Sequence, residues 1–140
     1  MRLPLELHVK LLDCVGQYGI KEWSYTGSRE ICPSAAAKAS DWDVVCLCDG
    51  FPAGAVPYNA SAPFCSIKHK MSEGELNLII TNDAKFFASW RLATSLAKRL
   101  RLAWRDDRVA VFQAILYGRC VEQSSETQQP KSVELTVSIM

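Results

Sequence analysis

Thr26-Gly27-Ser28, a twelve-residue connection, then Asp41-Trp42-Asp43-Val44-Val45-Cys46-Leu47-Cys48 is the stretch that decides the fold. Val44 to Cys48 is continuously apolar, so Asp41 to Cys48 reads as a buried strand with polar residues at its front. Alternate side chains on a strand share a face, which puts Asp41 and Asp43 on one side and Trp42 on the other. Two carboxylates held that close raise one pKa unless a cation neutralises them. Mg2+ takes oxygen ligands and is commonly held by one or two carboxylates plus substrate phosphates. Trp23 to Thr26 is a short β-type run, and Gly27-Ser28 closes it with a turn whose backbone N–H groups can face a phosphate. Taken singly, each feature also has an ordinary reading: solvated aspartates at a strand start, and a plain turn. Their order along the chain points to metal-assisted chemistry on a nucleoside triphosphate.

Outward from this stretch, residues 4 to 18 carry Leu5, Leu7, Val9, Leu11, Leu12, Val15 and Tyr18 in a mostly helical pattern that Gly16 and Gly19 end. Residues 29 to 40 read as a loop with a helical turn. Residues 49 to 63, with two glycines and three prolines, form a long irregular segment of the kind that is often functional. Phe64 to Lys70 and Glu75 to Thr81 flank Ser72-Glu73-Gly74 and predict a hairpin. Asn82 or Asp83 caps a helix whose apolar stripe is Phe86, Phe87, Trp90, Ala93, Thr94, Ala97 and Leu100. A second helix starts near Asp106 and stops at Gly118. From Arg119 to Ser132 the chain is polar, and Val133 to Ile139 is either a weak terminal strand or disordered. The expectation is one domain, residues 1–118, with a polar tail, residues 119–140. Its fold class is α/β, a small mixed β-sheet with helices packed on one face.

Bulk properties exclude more than they identify. The 140 residues are 49% hydrophobic and 22% charged, an ordinary globular composition rather than a disordered one. A net charge of +1 carries no general attraction to nucleic acid, so any such case rests on local clusters. No apolar run reaches membrane-spanning length, and Glu6, His8 and Lys10 interrupt any signal-like segment, so the expectation is a cytoplasmic protein with no membrane partner. The six cysteines form no CxxC pair and there are only two histidines, which argues against zinc and for free thiols.

The Thr26–Val44 stretch resembles the signature of the nucleotidyltransferase superfamily that includes DNA polymerase beta: an apolar residue, Gly, Gly or Ser, about nine to thirteen residues, then Asp, an apolar residue, and Asp or Glu. The later run from Leu76 to Asp83, with Phe86-Phe87, Trp90, Ala93-Thr94 and Arg108 to Ala114, is similar to small phage-encoded proteins labelled nucleotidyltransferases. The resemblance spans residues 22 to 118. It implies that Gly27 and Ser28 hold a triphosphate, that Asp41 and Asp43 bind Mg2+ as the catalytic carboxylates, and that a nucleoside monophosphate passes to a hydroxyl acceptor. Such families usually carry a third carboxylate on a later strand. Asn77 stands at that position here and takes no proton, while Glu75 and Asp83 are the nearby acids that would substitute.

Arg29 directly follows the Gly-Ser turn and either reaches a phosphate or faces solvent. Arg91, Lys98, Arg99, Arg101, Arg105 and Arg108 would contact phosphates or an RNA or DNA acceptor, but the plainer reading for most of them is a solvated helix face. His69 is a weak candidate base, and Tyr25, Trp42, Trp90 and Phe112 read as core. Two functions follow. One is a Mg2+-dependent nucleotidyltransferase using a nucleoside triphosphate and an RNA, DNA or host-protein acceptor. The other is an inactive member of the same fold, acting as a phage-encoded binding module in the host cytoplasm. Asn77 leaves the chain's status as an enzyme open.

Overall fold

The computed structural model describes residues 4–35, 41–57 and 62–118. In chain order the elements are α1 (Leu5–Tyr18), β1 (Ile20–Thr26), α2 (Gly27–Ile31), a 3-10 turn (Pro33–Ala35), β2 (Trp42–Cys48), β3 (Phe64–Lys70), β4 (Glu75–Thr81), α3 (Ala84–Arg99) and α4 (Arg105–Tyr117). The hairpin strands begin and end where the sequence predicts. The terminal strand proposed for Val133 to Ile139, and the whole polar tail, lie outside the described residues.

The chain forms a four-stranded mixed sheet in the order β1-β2-β4-β3. β2 runs antiparallel to β1 and parallel to β4, and β3 pairs antiparallel with β4. A parallel pair needs a long crossover, and the segment after Cys48 together with β3 supplies it. β4 therefore returns to the middle of the sheet beside β2. Every residue of β2 is buried, as expected of a central strand covered on both faces.

The α/β class and mixed sheet match expectation, with one correction: the helices do not all lie on one face. Val45, Leu47, Ile79 and Phe64 pack with Phe86, Phe87, Trp90, Ala93 and Ala97 of α3 and Phe112 of α4. The alternate residues Val44, Cys46, Leu76, Leu78 and Ile80 pack instead with Leu7, Leu11 and Cys14 of α1. The period of two explains the result: both sets of β2 and β4 side chains are apolar, so each face needs a cover. Burying either set is worth roughly 1.5–3 kcal/mol per large aliphatic side chain.

Trp90 is the hub of the α3 face. Its ring lies 5.3–5.7 Å, centroid to centroid, from Phe64, Phe86 and Phe112. The Asp83 carboxylate caps α3, accepting from the Lys85 and Phe86 amides at 2.9 and 3.1 Å. Arg108 is buried, and its Nη1 donates to the Leu102 and Ala103 carbonyls, which fixes the turn between α3 and α4.

Candidate functional site

The sheet register sets one row of side chains across all four strands. Thr26 pairs with Asp43, Asp43 with Asn77, and Asn77 with Lys68. Paired residues in a sheet point the same way, so these four stand on the face that α3 covers. Trp42 is buried on the opposite, α1-side cluster, as alternation requires.

Gly27 determines how closely the row meets the next turn. Its φ is +77°, a left-handed backbone that suits glycine. A Cβ there would sit 2.8 Å from the Asp43 Cγ and collide with Oδ2. The absent side chain thus lets the Asp43 carboxyl seat against the corner where β1 becomes α2. Ser28 and Arg29 follow in the first turn of α2. The predicted Gly-Ser turn is therefore a strand-to-helix corner.

Asp43 is only 4% exposed. Desolvation drives its pKa up to about 8, aided by the Asp41 charge, while the Asn77 hydrogen bond and the Lys68 and Arg29 charges pull the other way. Asn77 Nδ2 donates to Asp43 Oδ1 at 2.9 Å. The Asn77 amide is itself oriented by Ser66, whose hydroxyl donates to Oδ1. Asp41 lies on the same face as Asp43, two residues earlier, and pairs with Lys68 Nζ at 3.2 Å. That carboxylate holds the Lys68 ammonium above its usual range.

Beside Asp43 opens a cavity of about 340 Å3 lined by Tyr25, Thr26, Arg29, Glu30, Pro33, Trp42, Asp43 and Lys98. The Arg29 guanidinium carbon lies 4.2 Å from the Trp42 ring centroid. Among the described residues the buried Tyr25 hydroxyl meets no hydrogen-bond partner. Behind Asp43 the wall is fixed by a closed chain of donors. Trp90 Nε1 donates to Thr26 Oγ1 at 3.0 Å, and Thr94 donates to the Trp90 carbonyl. With those roles assigned, the Thr26 hydroxyl donates to Thr94 at 2.6 Å.

The structure thus brings Gly27, Arg29, Asp41, Asp43 and Asn77 to one place, with Ser28 on the adjoining turn. It separates Asp83 and His69 from them, whereas the parallel register sets Glu75 next to Asp41. Asp83 caps α3 at the far end of β4 from Asn77 and cannot stand in as a third carboxylate. Glu75 lies near Lys68, and its charge acts there. His69 hydrogen-bonds Tyr18 on the α1 face, away from Asp43. Among the described residues no three His, Cys, Asp or Glu side chains gather as a metal-binding group. Asp41 and Asp43 are the two carboxylates on this face that would offer oxygens to a cation, and Mg2+ needs few protein ligands.

Sequence reasoning missed Glu30 and Pro33, and it named Lys98 only as one of a basic cluster, since only tertiary packing carries α3 to α2. Ser66 was within reach: pairing Lys70 with Glu75 in the hairpin puts Ser66 on the same face as Asn77, diagonal to it. No protein-family model, curated protein or solved structure matches this chain.

Proposed function

We propose that the protein binds a nucleoside triphosphate with Mg2+ at the Gly27–Asp43 corner, as a small nucleotidyltransferase-like domain that passes the nucleoside monophosphate to a hydroxyl acceptor. The observation that carries this reading is the seating of the Asp43 carboxyl against Gly27, on the same face as Asp41 and at the wall of the cavity. Asp41 and Asp43 would hold the Mg2+, which would neutralise phosphate charge and steady the leaving pyrophosphate. Arg29 offers a planar donor fork to a phosphate. Asn77, fixed by Ser66, keeps the Asp43 carboxyl in one orientation. In the transfer the acceptor oxygen bonds to the α-phosphorus, the bond from that phosphorus to the bridging oxygen breaks, and pyrophosphate leaves with the electron pair. Asn77 takes no proton, so the acceptor proton passes to solvent.

A second reading, binding without turnover, is favoured by the same amide. Asn77 occupies the third position of the row and donates a hydrogen bond where a base would accept a proton. Titration calorimetry with ATP, CTP, GTP and UTP, each with Mg2+, tests the shared site. D43N and D41N should lose the Mg2+-dependent part of binding, and unchanged affinity would reject the site. Transfer of label from α-labelled nucleotides to host RNA or protein then separates the two readings, since a binding module gives none.

A further inference from the structure

Lys98 lies in the last turn of α3, yet it lines the same cavity as Arg29 and Asp43. Its Nζ donates to Glu30 Oε2 of α2 at 2.7 Å. The two side chains are 55% and 34% exposed, so this is a partly solvated pair of the weak kind. We infer that Lys98 is a polyphosphate-binding residue of this cavity and that Glu30 is the partner it gives up when the anion enters. The inference rests on the reading that the cavity receives a phosphate tail.

Three features support the exchange. An ammonium carries three donors, and Glu30 engages Lys98 at one carboxylate oxygen. Its four-carbon stem turns freely, so Nζ can swing toward a ligand without moving α3. A triphosphate brings several negative charges against the single charge of Glu30, and the low-dielectric Tyr25 and Trp42 walls strengthen the attraction. Arg29 stands in the same lining, so the anion would meet cationic groups from two elements, α2 and α3. Glu30 also lines the cavity and opposes anion entry, which makes it a brake on affinity rather than a ligand.

Titration calorimetry of the full chain with inorganic triphosphate, in EDTA and low salt, tests this without metal or nucleoside. K98A is expected to weaken binding about 5-fold or more, K98R to retain it, and E30Q to tighten it about 3-fold. The Lys98–Glu30 pair is partly solvated and weak, so thermal melting of the variants should stay close to the parent. No binding by the parent, or equal affinities across K98A and E30Q, would overturn the assignment. The parallel Mg2+–nucleotide titration of D43N keeps the two ideas apart. Lost nucleotide binding in D43N with no effect of K98A removes Lys98 and leaves the site reading standing. Weakened triphosphate binding in K98A with an unaffected D43N keeps the anion site and removes the metal corner.

Discussion

Replacing Asp43 by Asn should change how stability depends on pH more than it changes the fold. The buried carboxyl titrates near 8 in the native protein and near the ordinary 3.8 in the unfolded chain. Between those values the native state holds a proton that the unfolded state has released. Stability therefore falls as pH rises, by about 1.4 kcal/mol per unit for one group. The contribution is fully present below pH 3.8 and is lost as pH climbs through about 8. The full interval of about four units would give roughly 5–6 kcal/mol, and local relaxation brings the expectation to roughly 3–4 kcal/mol. Against a typical domain stability of about 5–15 kcal/mol that is a large share. Asn is the same shape as the protonated acid and keeps an oxygen for the Asn77 donor. The assay is urea denaturation in EDTA at pH 5, 6, 7, 8 and 9 for both proteins, because subtracting the curves cancels every other titrating group. The parent should already trail D43N by about 1–2 kcal/mol at pH 5, fall further behind up to about pH 8, and then run parallel to it. Curves parallel over the whole range would refute the burial argument.

Other consequences follow from the same row of residues. Gly27→Ala forces a non-glycine residue to φ +77° and drives its Cβ into the Asp43 carboxyl, so it should cost about 3–4 kcal/mol, of which roughly 1–2 is backbone strain; in a D43A background the cost should drop by at least about 1 kcal/mol, and equal costs in denaturant melts would separate Gly27 from Asp43. Asn77→Asp sets a second acid beside buried Asp43 at a position 1% exposed, so at pH 8 it should lose about 3 kcal/mol or more in EDTA and recover part of this with millimolar Mg2+, a thermal shift larger than the parent's. Thr26→Val leaves the buried Trp90 indole N–H without its acceptor and should cost about 1–3 kcal/mol by urea denaturation, with a Trp90 fluorescence change that Thr94→Ser does not reproduce.

The parts of this structure that were legible in the sequence are those where one strong local signal acts alone. Glu75-Leu76-Asn77-Leu78-Ile79-Ile80-Thr81 has β-forming residues and a Gly-containing turn before it, and its bounds follow directly. Asp83 before an apolar helical stripe gives a cap that forms as expected. The alternation of Asp41, Trp42 and Asp43 gave their faces, because that period is set by backbone geometry rather than by packing. The cover on the second face was not legible from periodicity alone. α1 carries Leu5, Val9 and Leu12 outside as well as Leu7, Leu11 and Cys14 inside, so its pattern does not say which side is buried or where the helix docks. That Lys98, out of its basic cluster, is the residue that lines the cavity was not legible for a related reason. A lysine on a polar helix face looks the same whether it meets solvent or, as here, the glutamate of a distant element.

Asn77 bears on whether the corner is merely structural. It hydrogen-bonds Asp43 and is fixed from behind by Ser66, so this part of the row would be satisfied equally by an Asn at position 43. Such a residue would keep the shape and avoid the ionisation penalty that burial imposes on the carboxyl. Packing therefore gives no reason for an acid there. What an acid adds is a charge that can be switched on when a positive partner arrives, at the wall of a cavity already lined by Arg29 and Lys98. Asp41 prepares the same response, since its exposed-side partner Lys68 is weakly held and can yield to a divalent ion. Under the proposed reading, the uncharged Asp43 carboxyl would gain most from a cation that brings its own anionic ligand, as a metal–triphosphate complex would.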